Sequence, residues 1–371
     1  MKKHKICHMT SVHMPNDDRI VLKECVSLLN AGYDVSLVFL GDLDEIIDKR
    51  IHYICAGVRY ENRKERVLKG IWKVYDKAKK INADLYHFHD PELIPIGILL
   101  KLSGKKVIYD VHEDVPKQIM SKDWIKIYLR KPVASFMQFC EMIADKCFDG
   151  IICAVNSITI RFDKKKALTL YNYPLSNELY SANKDIRRNL LKFVYVGGIS
   201  EIRGIYTMMN ATKKNDYELY LAGHIDNISL KEQIAEKFNN IFYLNFLSRK
   251  ELKELYKNVF CGLVVLYPTP NHINSKPVKM LEYMAAGIPF IASDFPEWKK
   301  FVDKYQCGIC VNPLDENAVA NAMKWMVEHT EEAKTMGANG RKAIVENFSW
   351  ENEGKKLINF YDKILNKSDK S

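Results

Sequence analysis

Apolar and polar positions alternate in blocks along the whole chain. Short β-rich apolar runs fall at 6–9 (ICHM), 35–39, 85–88, 106–109 and 150–154, with helical spacing between them. The run from Arg19 to Asn30 has an amphipathic helical pattern and stops at Gly32. The second half repeats the scheme, with strand starts at Phe193, Glu218, Ile241, Cys261, Phe290 and Ile309. Alternating β and α elements predict parallel sheets covered by helices, an α/β doubly wound class. A last amphipathic helix is expected from Trp350 to Leu365, with apolar residues at Trp350, Leu357, Ile358, Phe360, Tyr361 and Ile364.

The chain has 371 residues, too many for one ordinary core and enough for two domains of similar size. The polar stretch Pro174 to Asn189 suits the connection. The expected division is 1–180, 190–347 and a terminal segment 348–371. Hydrophobic residues at 47% and charged residues at 27% describe a soluble globular protein. No window approaches ~20 uncharged apolar residues. The N-terminus has no long apolar run, so no signal peptide is read there and a cytoplasmic location is expected. Nine scattered cysteines argue against a disulfide framework. Cys307 and Cys310 form CGIC, but within a strand-like run rather than at a helix start, so neither redox chemistry nor zinc is expected of them.

Two segments carry candidate chemistry. FVYVGGISEIRG (193–204) runs from strand to glycine turn to helix start. There Gly197 and Gly198 let backbone approach a diphosphate, and Arg203 can bind it bidentately. The bland alternative is a plain strand-to-helix connection. NSKPVKMLEYMAAGIPFIASDFPEW (274–298) is a polar loop, a helix carrying Glu282, a tight break and a strand. It offers a carboxylate for sugar hydroxyls and helix-start amides for phosphate. No GxGxxG follows the first strand, which removes the mark of a dinucleotide-binding dehydrogenase.

Together these segments resemble the C-terminal half of retaining glycosyltransferases of family 4, which have the GT-B fold. That family's phosphate loop reads Gly-Arg, four residues, Lys-Gly; Gly197-Gly198 and Arg203-Gly204 stand at those places. Its Glu-seven-Glu landmark has Glu282 as the second member and Asn274 at the first. DDRIVLKECVSLLNAGYDVSLV and HFHDPELIPIGILLKLSGKKVIYDVHED look like the N-terminal half of a polysaccharide-assembly branch. The resemblance implies two Rossmann-like domains facing across a cleft, with the last helix crossing back to the first. It also implies transfer of a sugar from a nucleoside diphosphate sugar to a glycan, with retention, the acceptor being carried on a lipid.

In that reading Arg203 and Lys279 hold the diphosphate, with Lys276 a further cation. Glu282 accepts from the ribose, Gly223 and His224 lie by the base, and Asn274 contacts the donor sugar. His112, after the strand VIYDV, orients the transferred sugar. Alternatively it belongs to a helix cap with Asp110 or Asp114. Arg19 either contacts a diphosphate or pairs with Asp17 or Asp18 at the surface. His87 and His89 share one strand face ahead of Asp90. That spacing suggests a metal site, but Pro91-Glu92 stand where a further Asp-His pair is needed. The competing reading makes Asp90 a helix N-cap, with His89 or Glu92 on the acceptor side. No metal or other cofactor is expected, because cations and helix amides would neutralise the phosphates.

Lysine and arginine exceed acids, giving a formal charge of +10. Basic residues concentrate at 49–80, and Lys117, Lys122, Lys126, Arg130 and Lys131 surround Trp124, Ile125, Ile127, Tyr128 and Leu129. Such a mixture fits an anionic membrane surface, or simply solvated helix faces. No nucleic-acid-binding pattern is present, so none is expected as partner. A nucleotide-sugar epimerase on the same fold and a non-catalytic binding subunit are the rival readings.

Overall fold

The computed structural model describes residues 3–43, 46–120, 125–180, 188–225, 227–273 and 278–366. The chain forms two compact units. The first takes the chain up to Asn172 and again from Asn352 onward; the second is Tyr173–Glu351. The division therefore comes before the expected residue 180, because residues from 173 on bond within the second unit. Pro174 O accepts from Trp350 N (2.9 Å), Ser176 donates to Glu351 and Glu178 pairs with Arg249.

The first unit holds a parallel sheet of seven strands. They are β1 (Lys5–Met9), β2 (Asp34–Phe39), β3 (His52–Cys55), β4 (Leu85–Phe88), β5 (Lys106–Val111), β6 (Gly150–Cys153) and β7 (Ala167–Thr169), in the order β3-β2-β1-β4-β5-β6-β7. The second unit holds β8 (Asn189–Val196), β9 (Glu218–Ala222), β10 (Ile241–Tyr243), β11 (Val259–Val264), β12 (Phe290–Ser293) and β13 (Gly308–Val311), in the order β10-β9-β8-β11-β12-β13. In each sheet the order reverses beside the first strand, β1 or β8. That reversal opens a crevice at the carboxyl ends of the strands.

Central strands are buried on both faces, which is why they read as unbroken apolar runs. The edge strands β3 and β7 are short and half-exposed, and neither carries a long apolar run in the sequence.

The helix after β1 begins at Asp18 with wide π-type turns as far as Cys25, then continues to Asn30. The five-residue repeat of such turns brings Arg19 and Glu24 to one side, facing inward. The last helix, Trp350–Leu365, packs into the first unit as expected. Tyr361 lies fully buried, and Phe360 and Ile364 pack against Gly150, where a Cβ would have no room.

Candidate functional site

In the second unit, β8 runs into Gly197 at φ +145°, and Gly223 at the end of β9 has φ +147°. The two turns touch. Gly197 N donates to Ala222 O (2.8 Å), and a Cβ on Gly223 would come within 1.9 Å of Gly197 O. Gly204 caps the helix Ile205–Lys214 at φ +70°. A Cβ there would strike Val265 O at 1.8 Å, and glycine has no side chain to bond the first amides. These amides and their dipole suit an anion.

Two of the expected ligand residues meet at this turn, and a third joins through one of them. The Arg203 guanidinium lies over Gly198, its Nε 3.7 Å from the place a Cβ would take. The Lys279 stem lies over Gly197, its Cε at 3.7 Å by the same measure. Lys279 Nζ in turn donates to Glu282 Oε2 (2.9 Å). The bland reading of a simple strand-to-helix connection leaves this convergence unexplained. His224 follows Gly223 and is exposed, and its backbone carbonyl accepts from Ile199 N (2.9 Å). Asn274 and Lys276 lie outside the described residues.

Glu282 differs from expectation. It is only 4% exposed, and its second oxygen accepts from Arg249 Nη1 (2.7 Å). Burial pushes its carboxyl up, but Lys279 and Arg249 outweigh that and hold it below the ordinary value. Arg249 also grips Glu178 through Nε (2.6 Å) and Nη2 (2.7 Å). Sequence reasoning missed Arg249. It sits one residue past the Ser248 cap of its helix, and nothing local signals partners 33 and 71 positions away.

In the first unit the carboxyl ends of β1, β4 and β5 carry a buried polar network. His112 Nε2 meets Asp110 Oδ2 (3.0 Å) and His89 Nδ1 (3.2 Å). The His112 ring remains 16% exposed and faces His13, with ring centroids 4.8 Å apart. The cap alternative holds for Asp114, which precedes the helix Val115–Met120 and accepts from Lys117 N (3.2 Å), whereas Asp110 is buried and bonded to His112 itself. Burial works against a charge on His13, but the Asp17 hydrogen bond and the Asp90 carboxylate raise its pKa above the ordinary value. His89 is lowered to about 4, chiefly by burial.

Arg19 is neither a surface residue nor an open ligand. It is 4% exposed, bonds Asp110 through Nε (3.2 Å) and Nη2 (3.1 Å), and donates to Leu170 O (2.9 Å). Its guanidinium is committed to holding Asp110, so it does not reach a diphosphate. Asp90 begins the turn Pro91–Leu93 but does not cap it. Its Oδ2 instead accepts from Thr10 Oγ1 (2.8 Å) and Ser11 N (2.6 Å), fixing the loop after β1. Glu92 is bound by Arg66 (2.6 Å) and Ser11 (2.7 Å). Cys307 and Cys310 are both pushed up to about 12 by burial, so neither thiol is poised for redox work.

Residues 176–343 match the family described as glycosyl transferases group 1. Three curated relatives are similar to the chain. An uncharacterized glycosyltransferase of Methanocaldococcus jannaschii is 25% identical over 175 residues, 45% of this chain and 44% of that protein. D-rhamnosyltransferase WbpZ of Pseudomonas aeruginosa is 23% identical over 152 residues, 40% of this chain and 39% of that protein. The chain thus spans less than half the length of both. O-antigen chain mannosyltransferase C of Escherichia coli is 20% identical over 312 residues, 78% of each chain. Among solved structures, sucrose-phosphate synthase of Thermosynechococcus elongatus superposes with TM-score 0.73 at 18% identity, covering 98% of this chain and 99% of that one. Anabaena HepE in complex with UDP-glucose gives 0.70 at 13%, covering 97% and 99%. At such identities the likeness establishes the fold, which is GT-B.

Proposed function

We propose that this chain, which has the GT-B fold and matches the group 1 glycosyl transferases over residues 176–343, is a glycosyltransferase that moves a sugar from a nucleoside diphosphate sugar onto a growing surface polysaccharide. The observation that carries the reading is the convergence of Arg203 and Lys279 on the Gly197–Gly198 turn, with Glu282 bound to Lys279. Two cations and the uncapped helix amides can take the charge that grows on a departing diphosphate. Glu282 still has lone pairs beyond those used by Arg249 and Lys279, and can accept from a ribose hydroxyl. Its first task is to hold Lys279 in place.

The reading extends to three finer points. The transfer retains configuration: the bond from C1 to the phosphate oxygen breaks, the acceptor oxygen bonds the same face, and its proton goes to the leaving phosphate. The acceptor is a lipid-linked glycan; the name of one relative, an O-antigen chain mannosyltransferase, supports the glycan and does not mention a lipid. His112, held by Asp110 and partly exposed, orients a sugar hydroxyl.

The chain works at an anionic membrane surface. No helix among the described residues is long and apolar enough to cross a membrane. The helix Ile127–Cys147 instead exposes Ile127, Tyr128, Leu129, Phe136, Phe139 and Met142 beside the exposed Lys126 and Lys131. Of the basic cluster read from sequence, Lys122 and Trp124 lie outside the described residues.

The deciding experiment screens UDP-, GDP-, ADP- and dTDP-sugars for thermal stabilisation, then follows the stabilising donor with and without a lipid-linked acceptor. Donor consumed only with acceptor, and a product keeping the donor's anomeric configuration by NMR, is the expected result. A donor altered without acceptor would identify an epimerase. Absence of any stabilising nucleotide sugar would overturn the reading.

A further inference from the structure

His8 on β1, His87 on β4, His89 just beyond it and Glu24 on the first helix converge inside the first unit, all 2% exposed or less. The parallel register sets His8 opposite His87. The rings lie close: 4.6 Å between the centroids of His8 and His87, 4.6 Å for His87 and His89, and 5.2 Å for His8 and His89. One nitrogen from each ring and one oxygen of Glu24 lie within 4.8 Å of one another.

Two features of this cluster remain unexplained by the hydrogen bonds around it. Neither oxygen of Glu24 makes a well-aligned hydrogen bond: Arg19 Nε pairs with Oε1 at 3.1 Å but out of line, and the other close group is a second carboxyl, that of Asp110. His87 Nε2 makes no hydrogen bond either, its nearest carboxylate being Asp110 Oδ2 at 4.0 Å. Buried carboxylate and imidazole atoms are seldom left so.

The outer nitrogens, by contrast, are each oriented. Tyr361 OH meets His87 Nδ1 (2.7 Å) and His8 Nε2 (3.4 Å), and Asp110 Oδ2 lies 3.3 Å from His89 Nδ1. That leaves His87 Nε2, His8 Nδ1 and His89 Nε2 as the inward atoms, the last two 3.0 Å apart. A partner on one ring nitrogen that fixes the tautomer and leaves the other free is the outer-shell arrangement of metal-bound histidine.

We propose that the first unit carries a structural divalent metal ion of the zinc class, bound by His8, Glu24, His87 and His89. Three imidazoles and a carboxylate form a suitable donor set for tetrahedral zinc. Nitrogens about 2.0–2.1 Å from zinc stand roughly 3.3 Å apart, so the present spacing needs only a modest inward shift. Four protein ligands and full burial leave no open position for substrate. The ion is therefore structural: it ties β1, β4 and the first helix together beneath His112.

The test uses the full chain without a polyhistidine tag. Metal content is measured after dialysis, and the stripped protein is titrated with Co²⁺, whose tetrahedral complexes absorb strongly in the visible. We expect one equivalent taken up with tetrahedral bands, a thermal midpoint that rises with Zn²⁺, loss of uptake in Glu24→Gln and His87→Gln, and uptake kept in His112→Ala. The proposal is overturned if the folded wild-type chain takes up less than about a tenth of an equivalent of Zn²⁺ or Co²⁺. It is also overturned if both ligand variants bind as the wild type does, which would assign the ion to surface histidines. Loss of the ion in His112→Ala would move it to His89, Asp110 and His112, and equally overturn the assignment. Should the ligand variants fail to fold, the wild-type titration decides alone.

Discussion

Arg249 donates to Glu282 across 2.7 Å while its other two guanidinium nitrogens hold Glu178. One cation thus fixes the carboxylate that in turn positions Lys279. Arg249→Ala leaves two largely buried carboxylates facing each other, and breaking such a pair costs about 3 kcal/mol. We expect the urea midpoint to fall accordingly and donor affinity to fall with it. Arg249→Lys keeps the charge but loses the fork, so it should rescue only part of the stability.

The same contact sets a pH dependence. Lys279 and Arg249 hold the Glu282 carboxyl below its ordinary value against the upward push of burial. Above the ordinary carboxylate range both the folded and the unfolded chain carry the charge, and the ion pairs contribute in full. As pH falls through that range the unfolded chain takes up the proton first, and the contribution shrinks until the folded value is passed. Urea unfolding between about pH 6 and pH 3 should show this loss in the wild type and a shallower one in Glu282→Gln.

Gly198 and Gly223 lie on the two touching turns but differ in tolerance. A Cβ on Gly198 finds its nearest neighbour at 3.7 Å, whereas on Gly223 it meets Gly197 O at 1.9 Å from a φ of +147°. Gly198→Ala should shift stability by less than ~0.5 kcal/mol. Gly223→Ala should cost about 1–3 kcal/mol in backbone strain alone, and it should also displace the turn proposed to hold the donor phosphates. Thermal melts separate the two.

Most of this architecture was legible because parallel strands buried on both faces are predominantly apolar, with few polar exceptions such as His87 and Ser293. The runs at Leu85–Phe88 and Phe290–Ser293 announce themselves for that reason. The half-exposed edge strands β3 and β7 carry no such mark. Within the site, backbone demands were readable and side-chain partnerships were not. Gly197, Gly198 and Gly204 follow from local turn chemistry. That Arg19 is spent on Asp110, 91 positions later, depends on the pairing of strands far apart in the chain. Glu282 and Lys279 lie three positions apart on one helix, but the second partner of Glu282, Arg249, comes from another helix.

Arg203 lies on the turn it is proposed to serve, in a segment with no fully buried residue. Arg203→Ala should therefore leave the melting temperature nearly unchanged. Loss of one group that stabilises developing charge costs about 10²–10³ in kcat. Lys279→Ala should lower kcat too, but with a stability loss that Arg203→Ala does not share, because it strips the buried Glu282 of a partner. Steady-state kinetics with parallel melts distinguish these outcomes, and equal activity in Arg203→Ala would contradict its role.

The helix Ile127–Cys147 presents aromatic and aliphatic side chains to solvent over several turns, with Phe136 64% and Phe139 52% exposed. A chain that displays so much apolar surface needs a cover or a use for it. Lys126 and Lys131 lie at the same end as Ile127 and Tyr128, which suits a bilayer carrying negative headgroups. Each lysine near such a surface contributes about 1 kcal/mol, so Lys126→Gln with Lys131→Gln should weaken binding to anionic vesicles by roughly tenfold or more. Phe136→Ser with Phe139→Ser should weaken it by a different route, through lost apolar burial, and should do so at high salt as well as low. The lysine pair should matter only at low salt, because screening removes its contribution. Co-sedimentation with phosphatidylglycerol vesicles at two salt concentrations reads both effects. Binding that ignores all four substitutions would place the membrane contact elsewhere or nowhere.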